Sequence, residues 1–365
     1  MIKIFLITPF VPSTIGAGVN YTRQFIEDLS SENKVDIVLF KKPGESYIPP
    51  NANVRLLREF EISFWKKVCN VCLLFFLFPL FTAKFNVLVY AYVRRVLKRE
   101  DYDVVYFDFS QMFLYAKFVN HKNKILMSHD VITQRFSRTG NRLITRFCYW
   151  TEKFVLHASN AHIFTFSEKD SKLLSSLFHI QSTPTSFYLS DSVKRATSTE
   201  IGDYFVFFAM WKRNDNSNGL NWFLSEVYPY CQGFQFKIIG AGLDEQIQKR
   251  LTPLSNIEYC GFVDNPYPII ANAKALISPL FTGAGVKVKV IDALACGTPV
   301  IGTAISFEGI SLEYSDFMLV AEDVQSFVRQ MNMVDISMEK RNSFKSHFIS
   351  TYADKAVMRF IHTIG

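Results

Sequence analysis

Short apolar runs closed by polar or turn residues alternate along this chain with stretches whose apolar residues recur at helical spacing. IKIFLITPF, KVDIVLF, DVVYFDF, NKILMSHD and AHIFTFS read as strands buried on both faces, since the runs are continuous rather than alternating. Between them, YTRQFIEDLSSE and RLITRFCYWTEKFVLHA carry apolar residues three and four apart, the spacing of helices with one buried face. From Gln181 to Gly202 the rhythm stops. QSTPTSFYLSDSVKRATSTEIG is polar and rich in Ser and Thr, and it reads as an inter-domain connection with room for one short strand. A second series follows, with strands at DYFVFFAM, FQFKIIGAG, IEYCGFV, AKALISPL, TPVIGT and DFMLVA and helices at GLNWFLSEVYPYC, DEQIQKRL, PYPIIANA and KVKVIDALAC. The pattern predicts an α/β protein of two Rossmann-like, doubly wound domains in tandem, facing a central cleft. The expected bounds are 1–190 and 191–343. A last segment, 344–365, carries a helix from about Phe344 to His362 that packs back across the junction.

Composition supports two folded domains. A chain of 365 residues is too long for one ordinary core, and 49% hydrophobic against 20% charged residues excludes extended disorder. Net charge is +7, and it is unevenly placed. Residues 1–190 hold 24 Lys and Arg against 15 Asp and Glu, whereas the rest hold 16 against 18. A basic, aromatic-rich first half suits an anionic membrane surface or an acidic substrate. Nucleic acid is a poor candidate, because the basic residues are dispersed and no recognition motif is present. Six cysteines lack a repeated spacing, and the single CxxC, Cys69 and Cys72, sits in the apolar run VCNVCLLFFLF. It reads as a pair of buried thiols in a reducing compartment, with no metal site.

The 16 residues between Lys67 and Lys84 are mostly apolar. They fall short of the ~20 that a spanning helix needs. FNVLVYAYV follows and runs into RRVLKRE. Two readings stand: a pair of core helices, or an interfacial element within 63–99 that buries Trp65, Phe75, Phe76 and Phe78 in a membrane surface and sets Lys and Arg on phosphates.

Candidate chemistry concentrates in PLFTGAGVKVKVIDALACGTPVIGT, residues 279–303. A strand feeds the turn Gly283-Ala284-Gly285, which opens a helix. Glycines there let backbone approach an anion, and the first helical N–H groups point at it. Lys287 and Lys289 put positive charge where a free helix prefers acids, which a bound polyanion explains. Asp292 is the one acid of an otherwise apolar helix, suited to the hydroxyls of a ribose. The same spacing also fits a structural turn with Lys289 and Asp292 as an i,i+3 pair. In the first half, Gly16 and Gly18 follow strand one, and His129 and Asp130 end the strand NKILMSHD on the same rim. Arg135 and Arg138 lie beyond it, and Glu168 and Asp170 follow FTFS, where they also suit a helix cap.

This stretch resembles the donor site of the group 1 glycosyltransferases (family 4, GT-B fold), in the subgroup with the pattern G-x-G-x-[RK]-x-K-x-x-E-A-x-A-x-G-x-P-V. FFAMWKRNDNSNGLNWFLSEVYP, FKIIGAG, IEYCGFVDN and FEGI extend the similarity over the second half; the first half is similar in outline, through PFVPSTIGAG, SHD and FTFSEKD. The resemblance implies a hexosyltransferase that moves a sugar from a nucleotide-sugar donor, UDP- or GDP-linked, to a glycan or lipid-linked acceptor. It implies retention of configuration, no metal and no further cofactor, in cell-surface polysaccharide biosynthesis, in the cytoplasm or at the inner face of the membrane. Carried over by residue, Gly283, Ala284, Gly285 and Val286 would offer backbone to the diphosphate or sugar. Lys287 and Lys289 would neutralise the leaving group, Asp292 would bind ribose, Gly261 and Val263 would line the base, and Glu308 would lie near the phosphates. Gly16 and Gly18 would approach donor or acceptor, and His129 matches the family's sugar-contacting histidine.

The chain also departs from the pattern. Ala284 replaces the first glutamate of E-x7-E, Asp292 is shorter than the usual second glutamate, and Asn218 precedes Gly219 where a Lys is common, with Lys212 and Arg213 the candidates to take its place. A GT-B epimerase or phosphorylase, or a catalytically weak glycan- or lipid-binding subunit, are the alternative readings.

Overall fold

The structure is a computed structural model, describing residues 1–365 apart from 15, 139, 158–160, 199, 353–354 and 365. The chain forms two compact units, Met1–Tyr188 with Lys355–Gly365, and Leu189–Asp354.

Among the described residues the first unit holds seven strands: β1 (Lys3–Thr8), β2 (Lys34–Lys41), β3 (Val54–Glu61), β4 (Val104–Asp108), β5 (Lys124–Ser128), β6 (Ala161–Thr165) and β7 (Thr183–Pro184). All pair in parallel, in the order β3-β2-β1-β4-β5-β6-β7. The central strands β4 and β5 are buried throughout, as their unbroken apolar runs require. One sheet face carries the core built from Phe5, Val105, Phe107, Phe113 and Val155. Against the other, Tyr21 and Phe25 of the helix Ala17–Leu29 stack on each other, and Phe25 packs on Tyr106 with 4.8 Å between ring centres. The strand the periodicity does not show is β3. It lies at the sheet edge with a half-exposed, charge-bearing pattern, and Arg55 donates through Nε and Nη2 to the two carboxylate oxygens of Asp36 on β2, at 2.8 and 2.5 Å. An edge strand needs no apolar run, and its charges protect the edge.

The second unit holds, among the described residues, β8 (Tyr204–Phe208), β9 (Gln235–Ile239), β10 (Ile257–Gly261), β11 (Leu276–Ser278), β12 (Val300–Gly302) and β13 (Met318–Val320). They pair in parallel in the order β10-β9-β8-β11-β12-β13. Its two faces carry separate cores, one on the helix Val288–Ala295 and one on the helix Asn214–Trp222. The helix expected from Phe344 to His362 is instead two, Met338–Tyr352 and Ala356–His362; positions 353–354 between them lie outside the described residues. Phe360 of the last helix stacks on His162 of β6, 4.0 Å between ring centres.

The 68–83 run divides: Leu77, Phe78 and Phe81 join the core with Val89 and Val93 of the helix Val87–Arg99, as the core-helix reading expects, while its first part does not. It contributes to the helix Phe64–Leu73, none of whose residues is buried, and to the short turn Pro79–Thr82. Cys69 and Cys72 are exposed, correcting the expectation of buried thiols: their helix turns its apolar side outward. Phe78, expected in a membrane surface, packs instead against Phe136 and Phe147.

Candidate functional site

In a doubly wound sheet the crevice for ligands opens where strand order reverses, beyond the carboxyl ends of the strands. The reversal falls between β8 and β11 in the second unit, and between β1 and β4 in the first. Each of these points carries a polar cluster.

In the second unit, β11 runs through Pro279–Thr282 into the turn at Gly283 and Gly285, both at positive φ (109° and 69°). The helix Val288–Ala295 begins there with Lys287 as its N-cap, a residue with no acceptor to offer the first N–H groups. The Lys287 ammonium donates to the Gly285 carbonyl at 2.6 Å and lies 3.9 Å from Glu308. Two residues on, Lys289 donates to Asn216 Oδ1 at 3.0 Å. Asn216 stands in the first turn of the helix Asn214–Trp222, which follows β8. Arg213 and Asp215 flank it as an ion pair (2.9 Å), and Asp215 lies beside Gly283. Burial pulls the Lys289 ammonium down to about 7, helped by Lys287 and Arg213 and opposed by Asp215. Three cations thus converge on a glycine turn and an uncapped helix start, an arrangement that can hold a polyanion.

Gly219 fixes the geometry between these two strand ends. A Cβ there would lie 2.1 Å from the Pro279 carbonyl, so only glycine lets this helix pass so close to the end of β11. That close approach puts Asn216 against Lys289.

Asp292 is buried inside the helix Val288–Ala295, and its carboxyl meets the Tyr267 hydroxyl. Burial pushes it up to about 7, against the effect of that hydrogen bond. The carboxyl expected to meet a ribose is thus buried beside Tyr267 in the ligand-free protein. Gly261 ends β10 at φ 65° with open space beside it, and Val263 and Val286 pack against the core. Ala284 is half-buried in the turn. Lys212 lies along Gly242.

In the first unit, Asp108 closes β4 fully buried. Its Oδ2 accepts from Thr8 (3.0 Å) and Thr22 (2.6 Å), and its Oδ1 from His129 Nε2 at 2.8 Å. A carboxylate there requires the proton on Nε2. Phe109, held at φ 61°, stacks on the imidazole at 3.5 Å with 8° between planes. A non-glycine residue held at positive φ marks stored strain, which clusters at functional sites. Gly18 is needed by this stack rather than by an open loop: a Cβ would fall 2.8 Å from the Phe109 ring and 3.0 Å from His129 Nδ1. Gly16 caps the helix Ala17–Leu29 at φ 102°. Asp130 lies next to this cluster in sequence, and Arg135 is exposed. Ser167 caps the helix Glu168–Phe178, and Asp170 closes that cap by accepting from the Ser167 hydroxyl at 2.9 Å. Asp108, Asn216, Asp215 and Tyr267 are the site residues that sequence reasoning missed.

Residues 202–334 match the family model described as Glycosyl transferases group 1. That match lies within the second unit. Its solved likenesses are glycosyltransferases of GT-B architecture, and both sheets fit that fold. TarM superposes with a TM-score of 0.72 at 12% identity, over 100% of this chain and 98% of its own. HepE of Anabaena, crystallised with UDP and glucose, gives 0.66 at 11%, over 100% and 97%. WaaG, a glycosyltransferase involved in lipopolysaccharide biosynthesis, gives 0.66 at 11%, over 99% and 99%. At these identities the likeness establishes the fold alone. No curated protein matches the chain in sequence.

Proposed function

We propose that the protein is a hexosyltransferase which binds a UDP- or GDP-sugar at the turn Gly283–Gly285 and the helix behind it, and transfers the sugar to a glycan or lipid-linked acceptor. The observation that carries this reading is the convergence of Lys287, Lys289 and Arg213 on an uncapped helix start at the point of strand reversal. HepE's complex with UDP and glucose, on the same fold, supports a nucleotide-sugar donor. WaaG's place in lipopolysaccharide biosynthesis supports a cell-surface glycan as the product.

In the proposed reaction the acceptor oxygen bonds to the anomeric carbon as the bond from that carbon to the phosphate oxygen breaks. The bonding pair leaves with the diphosphate, and the acceptor proton passes to the departing phosphate oxygen on the same face, giving retention. Growing diphosphate charge meets Lys287, Lys289 and the first N–H groups of the helix, which supply the neutralisation without calling on a metal. His129 Nδ1 accepts from a sugar hydroxyl, with Asp108 holding its tautomer and orientation. Six free cysteines support a reducing compartment, and we place the reaction in the cytoplasm.

One feature favours a second reading, a weakly active binding subunit: Ala284 stands where an acid would face the sugar, and Asp292 is engaged by Tyr267. A thermal-shift panel of UDP-, GDP- and ADP-sugars, followed by assay of nucleotide release with and without glycan acceptors, separates the two. Stabilisation by one nucleotide class with acceptor-dependent release supports transfer. Stabilisation without release supports the subunit.

A further inference from the structure

The helix Phe64–Leu73 is built inside out. Its apolar side chains face solvent: Phe64, Trp65 and Leu73, with Phe75 and Phe76 just beyond its end, are 60–75% exposed. Of its polar side chains, Asn70 turns to the domain and donates to the Ala83 carbonyl at 3.2 Å, Lys67 is half-buried, and Lys66 is exposed beside the apolar residues. A helix whose only neighbours are protein and water turns its apolar stripe inward. An exposed apolar patch of this kind marks an interaction surface.

Charge narrows the partner. Residues 62–99 contain seven Lys and Arg and no Asp or Glu. The helix Arg142–Leu156 lies beside this segment, its Thr151 hydroxyl accepting from the Phe78 amide at 2.8 Å. It repeats the chemistry, exposing Leu143 and Trp150 among Arg142 and Arg146. The one acid of that helix, Glu152, is buried and accepts from the Ile132 and Thr133 amides. The flank therefore offers aromatic and aliphatic side chains set among cations, with no exposed acid between them. A second copy of the chain would set these same cations against each other across an isologous contact.

We propose that this flank of the first unit, centred on Trp65, Phe75 and Phe76, docks on the surface of an anionic lipid bilayer. The rings enter the boundary between headgroups and acyl chains, while Lys66 and Lys67 meet lipid phosphates. A helix of ten residues is about 15 Å long and lies in the plane of the interface. Among the described residues no helix is long and apolar enough to cross a membrane. The inference stands on exposure and charge in the first unit and is independent of the donor site in the second.

The test is flotation of the intact chain with vesicles of phosphatidylglycerol and phosphatidylethanolamine, and with vesicles of phosphatidylcholine alone. The chain is expected to float with the anionic vesicles, to do so less as salt rises, and to stay behind with phosphatidylcholine. Trp65→Ser, Phe75→Ser and Phe76→Ser together should lower partition about tenfold or more with the melting temperature unchanged, since these side chains are exposed. Lys66→Glu with Lys67→Glu should also weaken it. A folded chain that ignores anionic vesicles overturns the proposal, and so does equal partition by the triple variant. Concentration-dependent self-association that the triple variant abolishes would overturn it too, by assigning the face to a second copy.

Discussion

Two lysines and one buried carboxylate carry most of the proposed chemistry at the residue scale. Lys287→Ala and Lys289→Ala should each lower turnover on the order of a hundredfold, the usual consequence of removing a group that meets charge growing in a transition state. Both variants should remain folded, because both side chains stand at the helix start and outside the two cores of the second unit. Lys289 also gives the pH dependence a sign. Its ammonium is held down to about 7 in the ligand-free protein, and a bound diphosphate must raise it. Between those two values binding takes up a proton, so affinity for an uncleaved nucleotide sugar falls as pH rises above 7, on the order of tenfold per unit. Calorimetry at several pH values checks this, and Lys289→Arg should flatten the curve. In the first unit, Asp108→Asn should lower turnover on the order of tenfold to a hundredfold by releasing the His129 tautomer, while nucleotide affinity stays unchanged. The lysines were legible in the sequence because cations at a helix start contradict the local electrostatics. Asp108 was not, since an acid ending an apolar strand looks like any strand end. Asn216 was not either, because its partner is 73 residues away.

At the scale of elements, the turn proposed to hold the donor depends on how closely the helix Asn214–Trp222 approaches the end of β11. Gly219→Ala places a carbon 2.1 Å from the Pro279 carbonyl and must displace one element. Unfolding in urea should show a loss of about 2–3 kcal/mol, the range of overpacked cores, together with weaker nucleotide binding as Asn216 leaves Lys289. Gly233→Ala, which meets nothing within 4 Å, is the control and should do neither. This helix was read from Gly219 onward, five residues late. Asn, Asp and Ser before it are poor helix formers, and the turn they make is held by packing that the local pattern does not contain. The buried parallel strands were all legible as continuous apolar runs. Only β3 escaped, because an edge strand paired through Arg55 and Asp36 has no such run.

For the whole molecule, two doubly wound sheets followed from the alternation of strand and helix signals, since parallel strands buried on both faces allow few other architectures. The outward apolar face at Phe64–Phe76 did not follow, because its apolar residues serve a buried and an exposed helix equally well until the fold shows which side is turned inward. The central claim is that the second unit binds a nucleotide sugar through the turn before the helix Val288–Ala295. Its most direct test is calorimetric titration of UDP- and GDP-sugars into the intact chain and into the Lys287→Ala, Lys289→Ala double variant, with folding checked by circular dichroism. The predicted result is saturable binding of one of the two by the native chain and a loss of at least about tenfold in the variant, as expected when charge-assisted contacts to a diphosphate are removed. Equal affinity in native and variant chains, or no binding of either sugar nucleotide by the folded native chain, would contradict it.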